Sequence, residues 1–157
     1  TIPYLIDGNV EMTESVAMCQ YLVEKYGPTD LHVNSDEADY HHYINWLAHS
    51  DATLTFPQTV VLRYTLQEIG IADKAAEGYR RWFVARLKLL EQTLESREYL
   101  CSNRFTIADI CVSYAIYLAK SLQIEEAFKP NIKRWTDMLF DREGFNRAVS
   151  IRYKEPE

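Results

Sequence analysis

Ile2-Pro3-Tyr4-Leu5-Ile6-Asp7-Gly8-Asn9-Val10-Glu11-Met12-Thr13-Glu14-Ser15, running on to Tyr26-Gly27-Pro28, is the segment on which the fold turns. Residues 3–7 and 10–13 are short strand candidates, and the Gly8-Asn9 pair between them accepts positive φ in a hairpin turn. From Ser15 the period changes. Val16, Cys19, Leu22, Val23 and Tyr26 recur at three- and four-residue intervals, the spacing of an amphipathic helix over 15–26. Gly27 is expected in the left-handed capping position, and Pro28 blocks continuation. Two strands and one helix do not make a stable sheet domain alone, so this unit must pack on the rest of the chain.

The remainder of the chain reads as helix. Residues 28–35 form a connector rich in turn formers, among them Pro28, Thr29, Asp30 and Asn34. Ser35-Asp36-Glu37 is expected to open a long helix through Tyr40, Tyr43, Ile44 and Leu47, with acidic residues near its positive end. Pro57 should kink or restart that helix, which Val60, Val61, Tyr64 and Leu66 then resume. After a break at 70–73, Trp82, Phe83, Leu87, Leu90 and Leu94 mark one side of a helix over 74–95. A loop at 99–103, a helix over 106–120 and shorter helices near 124–128, 132–140 and 144–149 complete the chain.

The segment Asn103-Arg104-Phe105-Thr106-Ile107-Ala108-Asp109-Ile110 carries a start signal of its own. Thr106 is a good N-cap, and Asp109 is placed to accept a bond from the Thr106 amide. Phe105 and Ile110 flank the pair as a hydrophobic staple. Its role is folding, and losing the cap alone should cost about 1 kcal/mol.

Composition narrows the function. The 157 residues carry a formal net charge of −6 without clustered Lys or Arg, which argues against a nucleic-acid surface. Cys19, Cys101 and Cys111 form no CxxC pair and sit among apolar neighbours, which suits reduced thiols in a cytoplasmic protein and no disulfide framework. No apolar run approaches the roughly 18 residues of a membrane span, and no charged-then-apolar leader precedes Thr1. His41-His42 with Glu37 is not expected to bind metal, because adjacent helical side chains point about 100° apart. Glu37 and His41 read as a surface pair. Neither a glycine-rich phosphate loop nor a Gly-x-Ser-x-Gly elbow is present. The expectation is no metal, no nucleic acid and no membrane.

Ile2-Pro3, then strand, turn, strand, then Glu14-Ser15 opening a helix, then an all-helical segment with the Thr106/Asp109 box: this order resembles the cytosolic glutathione S-transferase family, of bacterial type. The resemblance covers essentially the whole chain and implies an α+β fold. A partial thioredoxin-like domain, hairpin plus helix, would occupy residues 1–27, a linker 28–35, and an all-helical C-terminal domain 36–157. The family's strand-helix-strand unit, which bears the catalytic Ser, Tyr or Cys, would then lie upstream of Thr1, so no catalytic residue is assigned within this chain.

The resemblance further implies glutathione as cosubstrate. A cis Ile2-Pro3 bond would pair its backbone with the peptide, Ser15 would receive the α-carboxylate on its amide and hydroxyl, and Glu14 would take the α-ammonium. Asp51 would touch glutathione bound to the neighbouring subunit of a homodimer. Without the resemblance, Thr13 as a cap with Glu14 complementing the helix dipole is the more economical reading, and Asp51 reads equally as a solvated helix end. The implied activity is conjugation of glutathione to a small hydrophobic electrophile. The alternatives are a glutathione-dependent isomerase, peroxidase or lyase of the same fold, or a non-catalytic protein-interaction module.

Overall fold

A computed structural model describes residues 3–152. Leu5–Asp7 (β1) and Val10–Met12 (β2) pair antiparallel, Leu5 facing Met12, Ile6 facing Glu11 and Asp7 facing Val10. Gly8, at φ +62°, takes the left-handed position that the turn requires. Ser15–Lys25 forms α1. Asp7 ties the hairpin to it: its carboxylate accepts from Lys25 Nζ at 2.6 Å, Tyr26 Oη at 2.5 Å and Tyr21 Oη at 3.0 Å.

The end of α1 differs from expectation. Tyr26, at φ −105°, closes the helix and donates its N–H to the Leu22 carbonyl at 3.0 Å, while Gly27 has no positive φ. Glycine is needed there for space instead, since a Cβ would sit 2.6 Å from the Val23 carbonyl oxygen. The following Gly27–Pro28 bond is cis.

The first long helix begins at Tyr40 rather than Ser35. Tyr40–Ala48 forms α2, a wide π-helical turn covers His49–Thr55, Phe56–Leu62 forms α3 and a second wide turn covers Arg63–Gln67. Pro57 sits in the first turn of α3, the restart its missing N–H predicts. The acidic run ahead of α2 is not a first helical turn because distant arginines claim it. Arg104 grips Glu37 with both terminal nitrogens, at 2.7 and 2.8 Å, and also donates to the carbonyls of Asp30 and His32. Arg97 binds Asp39 at 2.6 Å, and the same carboxylate accepts from the Ser102 amide at 2.7 Å. These two pairs clamp the connector to the loop that precedes the central helix.

Beyond lie α4 (Asp73–Ser96), α5 (Ile107–Ser121), a single 3₁₀ turn at Glu125–Ala127, α6 (Pro130–Phe140) and α7 (Glu143–Arg152). Phe83, Leu87, Leu90 and Leu94 form the buried side of α4. Trp82, one residue and about 100° off that stripe, is instead 51% exposed and stacks on Tyr79. The centre is α5, apolar nearly all round as a helix enclosed by others must be, with Val112, Ala115 and Ile116 fully buried. One core cluster joins α5 to Tyr43, Leu54, Phe83 and Trp135, and it takes in Val23 from α1 and Val33 from the connector. The hairpin unit therefore leans on the helical part through α1.

The clamp has a pH signature. The Arg104 guanidinium holds Glu37 down from an ordinary 4.5 to about 2, and Arg97 holds Asp39 below its ordinary range. Depressed carboxylates contribute stability that is present above their ordinary values and lost as pH falls through the folded-state values. The urea midpoint should therefore drop between about pH 4.5 and pH 2. Arg104→Ala should already be weaker at neutral pH and lose less over that window. Parallel curves for the two proteins would contradict the assignment.

Candidate functional site

The start of α1 sets an uncapped helix end beside two exposed polar side chains, Glu14 and Ser15. Glu14 is extended, at φ −97° and ψ 114°, and its carbonyl accepts the Met18 N–H at 2.9 Å, so the helix proper begins at Ser15. No side chain caps it. Thr13 lies one position too early to do so, which sets aside the reading of Thr13 as cap. The first-turn amides thus lack intrahelical acceptors at the positive end of the helix dipole. The side chains of Glu14 and Ser15 are both exposed beside them. An anion suits the amides and the Ser15 hydroxyl, while a cation suits Glu14.

Of the other residues singled out from sequence, Pro3 is exposed two positions ahead of β1. Ile2, and with it the Ile2-Pro3 bond, falls outside the described residues. Asp51 is exposed in the wide turn after α2, a segment that packs along α5. Its charge bears on Cys111 of α5, and Cys111 in turn interacts with Cys19 of α1. The turn that carries Asp51 and α1 both pack on the central helix.

The aromatic candidates scatter. Trp46 is core, edge-on to His49 at 5.2 Å. Phe56 lies outside against Tyr79, and Tyr64 lies under Arg63. Tyr117 lines an apolar groove of about 800 Å³ between α5 and α7, with Phe105, Ile110, Tyr114, Phe145 and Val149. The His41 and His42 rings lie 4.0 Å apart, closer than helical geometry suggested. Glu37 does not join them as a surface pair because Arg104 holds it. Among the described residues no group of three His, Cys, Asp or Glu could hold a metal ion, and no helix is long and apolar enough to cross a membrane.

Residues 67–143 match the family model described as glutathione S-transferase, C-terminal domain. The same helices, together with the hairpin and α1, superpose on a bacterial glutathione transferase, BphK, solved as a ternary complex, with a TM-score of 0.85 over 96% of this chain and 74% of that one at 19% identity. The helical part is of glutathione S-transferase type over residues 67–143.

The chain's fold is accordingly the closing hairpin and helix of a thioredoxin-like domain followed by an all-helical transferase domain. Glutathione S-transferase 3 of Schizosaccharomyces pombe is 27% identical over 89% of this chain and 63% of its own length. A probable maleylacetoacetate isomerase of Vibrio cholerae is 28% identical over 94% of this chain and 70% of its own. The chain thus spans about two thirds of these relatives. Ure2p5 of Phanerochaete chrysosporium, crystallised with 1-(S-glutathionyl)-2,4-dinitrobenzene, matches with a TM-score of 0.81 over 99% of this chain and 79% of that one, at 24% identity.

One feature of this transferase-like fold is not visible in its sequence. Asp109 does more than complete a capping box: besides the Thr106 amide it takes the Leu100 amide and the Trp135 indole.

Proposed function

We propose that this chain forms part of a glutathione-binding site, with Glu14 and Ser15 at the start of α1 holding the γ-glutamyl end of the peptide. The observation that carries this reading is the uncapped α1 N-terminus with a carboxylate beside it. An α-amino acid presents its carboxylate and ammonium on one carbon, so a single ligand end satisfies both the first-turn amides and Glu14. The Ile2-Pro3 backbone would align the cysteinyl unit as a short added strand does. Asp51, in the turn that packs along α5, would contact glutathione held by the second subunit of a homodimer.

The reaction proposed for the complete site is attack of the glutathione thiolate on a small hydrophobic electrophile selected by the helical domain. The group that lowers the thiol pKa would come from a segment ahead of Thr1, as the family resemblance implies. Positioning without thiol activation supplies orientation but little nucleophile. The residues of this chain are therefore expected to hold and orient glutathione, with the thiol-activating group supplied by that segment. The Vibrio cholerae relative favours a second reading, in which the same half-site serves a glutathione-dependent isomerase.

Calorimetric titration of the chain with glutathione tests the shared premise, and saturable binding of one glutathione per chain is expected. An absence of binding heat across several temperatures would remove both enzymatic readings and favour a module for protein contacts. Conjugation of a dinitrophenyl halide against isomerisation of maleylacetoacetate then separates transferase from isomerase.

A further inference from the structure

Where α3 meets α4, a row of aromatic side chains lies open to solvent. Phe56 of α3 meets the Tyr79 ring edge-on at 6.3 Å, and Tyr79 stacks on Trp82 at 6.1 Å. The Arg86 guanidinium lies over Trp82, 5.2 Å from the ring centre. Phe56, Trp82 and Leu89 are exposed, as are Leu66, Ile69 and Ile71 in the connection from α3 to α4. Contiguous apolar surface of this kind marks an interaction face. Tyr, Trp and Arg are also the residues that carry most of the binding energy at such faces.

The exposed stripe on α4 complements itself. Ala75, Tyr79, Trp82, Arg86, Leu89 and Thr93 recur at intervals of four, three, four, three and four residues, the seam along which one helix packs on another. It runs beside the buried side of Phe83, Leu87, Leu90 and Leu94 and shares no residue with it. The order of intervals is the same from either end. Two such helices, antiparallel about a two-fold axis between Trp82 and Arg86, therefore set each bulky side chain against a useful one. Trp82 comes opposite the partner's Arg86, and Tyr79 comes opposite the partner's Leu89. Among the described residues Arg86 is paired with no carboxylate, so its charge is free to lie on a second indole face.

We propose that this face of α4, with Phe56 beside it, is where a second copy of the chain docks, α4 antiparallel to α4. The face is continuous with the site already described, because α4 packs on α3 and on the wide turn that carries Asp51. A copy seated on it lies beside that turn. The pairing rests on the reading above only for the role of Asp51. Each copy carries a net charge of −6, and Arg81 and Lys88 flank the seam with one sign in both copies. Like charge thus opposes an apolar contact, and added salt should tighten the dimer instead of loosening it.

Sedimentation of the native chain across a dilution series should show a reversible dimer that strengthens in salt. Trp82→Glu, at an exposed position, should weaken it roughly a hundredfold and leave the thermal melt of the monomer in place. Tyr114→Glu, which puts the same charge on an exposed aromatic of α5, should leave the dimer intact. Tyr79→Cys and Leu89→Cys chains, mixed and mildly oxidised, should cross-link to one another through those two positions. With glutathione added, Trp82→Glu should keep the amide shifts at Ser15 and lose those near Asp51. A dimer that forms without any glutathione binding supports the pairing and counts against the glutathione reading alone. A monomeric native chain, a dimer that survives Trp82→Glu, or one broken by Tyr114→Glu would each overturn the pairing.

Discussion

Asp109→Ala is expected to destabilise the chain by about 3–5 kcal/mol, a large share of the roughly 5–15 kcal/mol that holds a domain folded. Asp109 is fully buried. One carboxylate oxygen accepts from the Leu100 amide at 3.0 Å and the Trp135 indole N–H at 3.2 Å. The other accepts from the Thr106 amide at 3.0 Å and the Thr106 hydroxyl at 3.2 Å. Alanine leaves three N–H donors in the core without an acceptor, and each such orphan costs about 1–3 kcal/mol. Burial pushes the carboxyl above its usual range while the four donors pull it back, so the group's charge is tolerated only because the network is complete. Asparagine should rescue little, because its NH₂ would face N–H groups. Thr106→Ala removes the cap but leaves Asp109 its other partners, and should cost only about 1 kcal/mol. Urea unfolding of the three variants checks the order. An Asp109→Ala loss no larger than that of Thr106→Ala would contradict the network.

Loss of ligand binding without loss of fold is the second large effect. In titrations with glutathione, Ser15→Ala is expected to weaken binding roughly tenfold, by removing a hydroxyl donor and leaving the first-turn amides in place. Glu14→Gln should weaken it by about ten- to a hundredfold, since a hydrogen bond between charged groups is worth more than a neutral one. Both side chains are exposed and neither caps α1, so the melting temperature of the unliganded chain should stay put. Unchanged affinity in both variants would move the ligand elsewhere. A fall in melting temperature matching the fall in affinity would show that the residues act through the fold.

Local signals are legible in the sequence and distant ones are not. The hairpin and α1 follow from the Gly8 turn and from the change of period at Ser15, and the start of α5 follows from residues within four positions of Thr106. The start of α2 escapes such reading because the partners of Asp39 and Glu37, Arg97 and Arg104, lie 58 and 67 positions away. Once those carboxylates are engaged by arginines they stop behaving as a helix's acidic first turn. Gly27 does mark a boundary, but for a different reason from the one its type suggests, since a tight approach to a carbonyl and a left-handed φ both select glycine. Trp82 reads as part of the buried stripe because it neighbours Phe83, and a shift of one residue turns a side chain from core to solvent. At the candidate site, Glu14 and Ser15 are legible through their place at a helix start. The packing of the Asp51 turn along α5 depends on contacts that no spacing encodes.

The most direct test of the central claim is a map of backbone amide shifts in the ¹⁵N-labelled chain as glutathione is added. The account predicts saturable shifts concentrated at Ser15, Val16 and Ala17, with smaller ones near Asp51, and their loss in Glu14→Gln. Shifts confined to the α5–α7 groove, or no saturable shift at the start of α1, would contradict it.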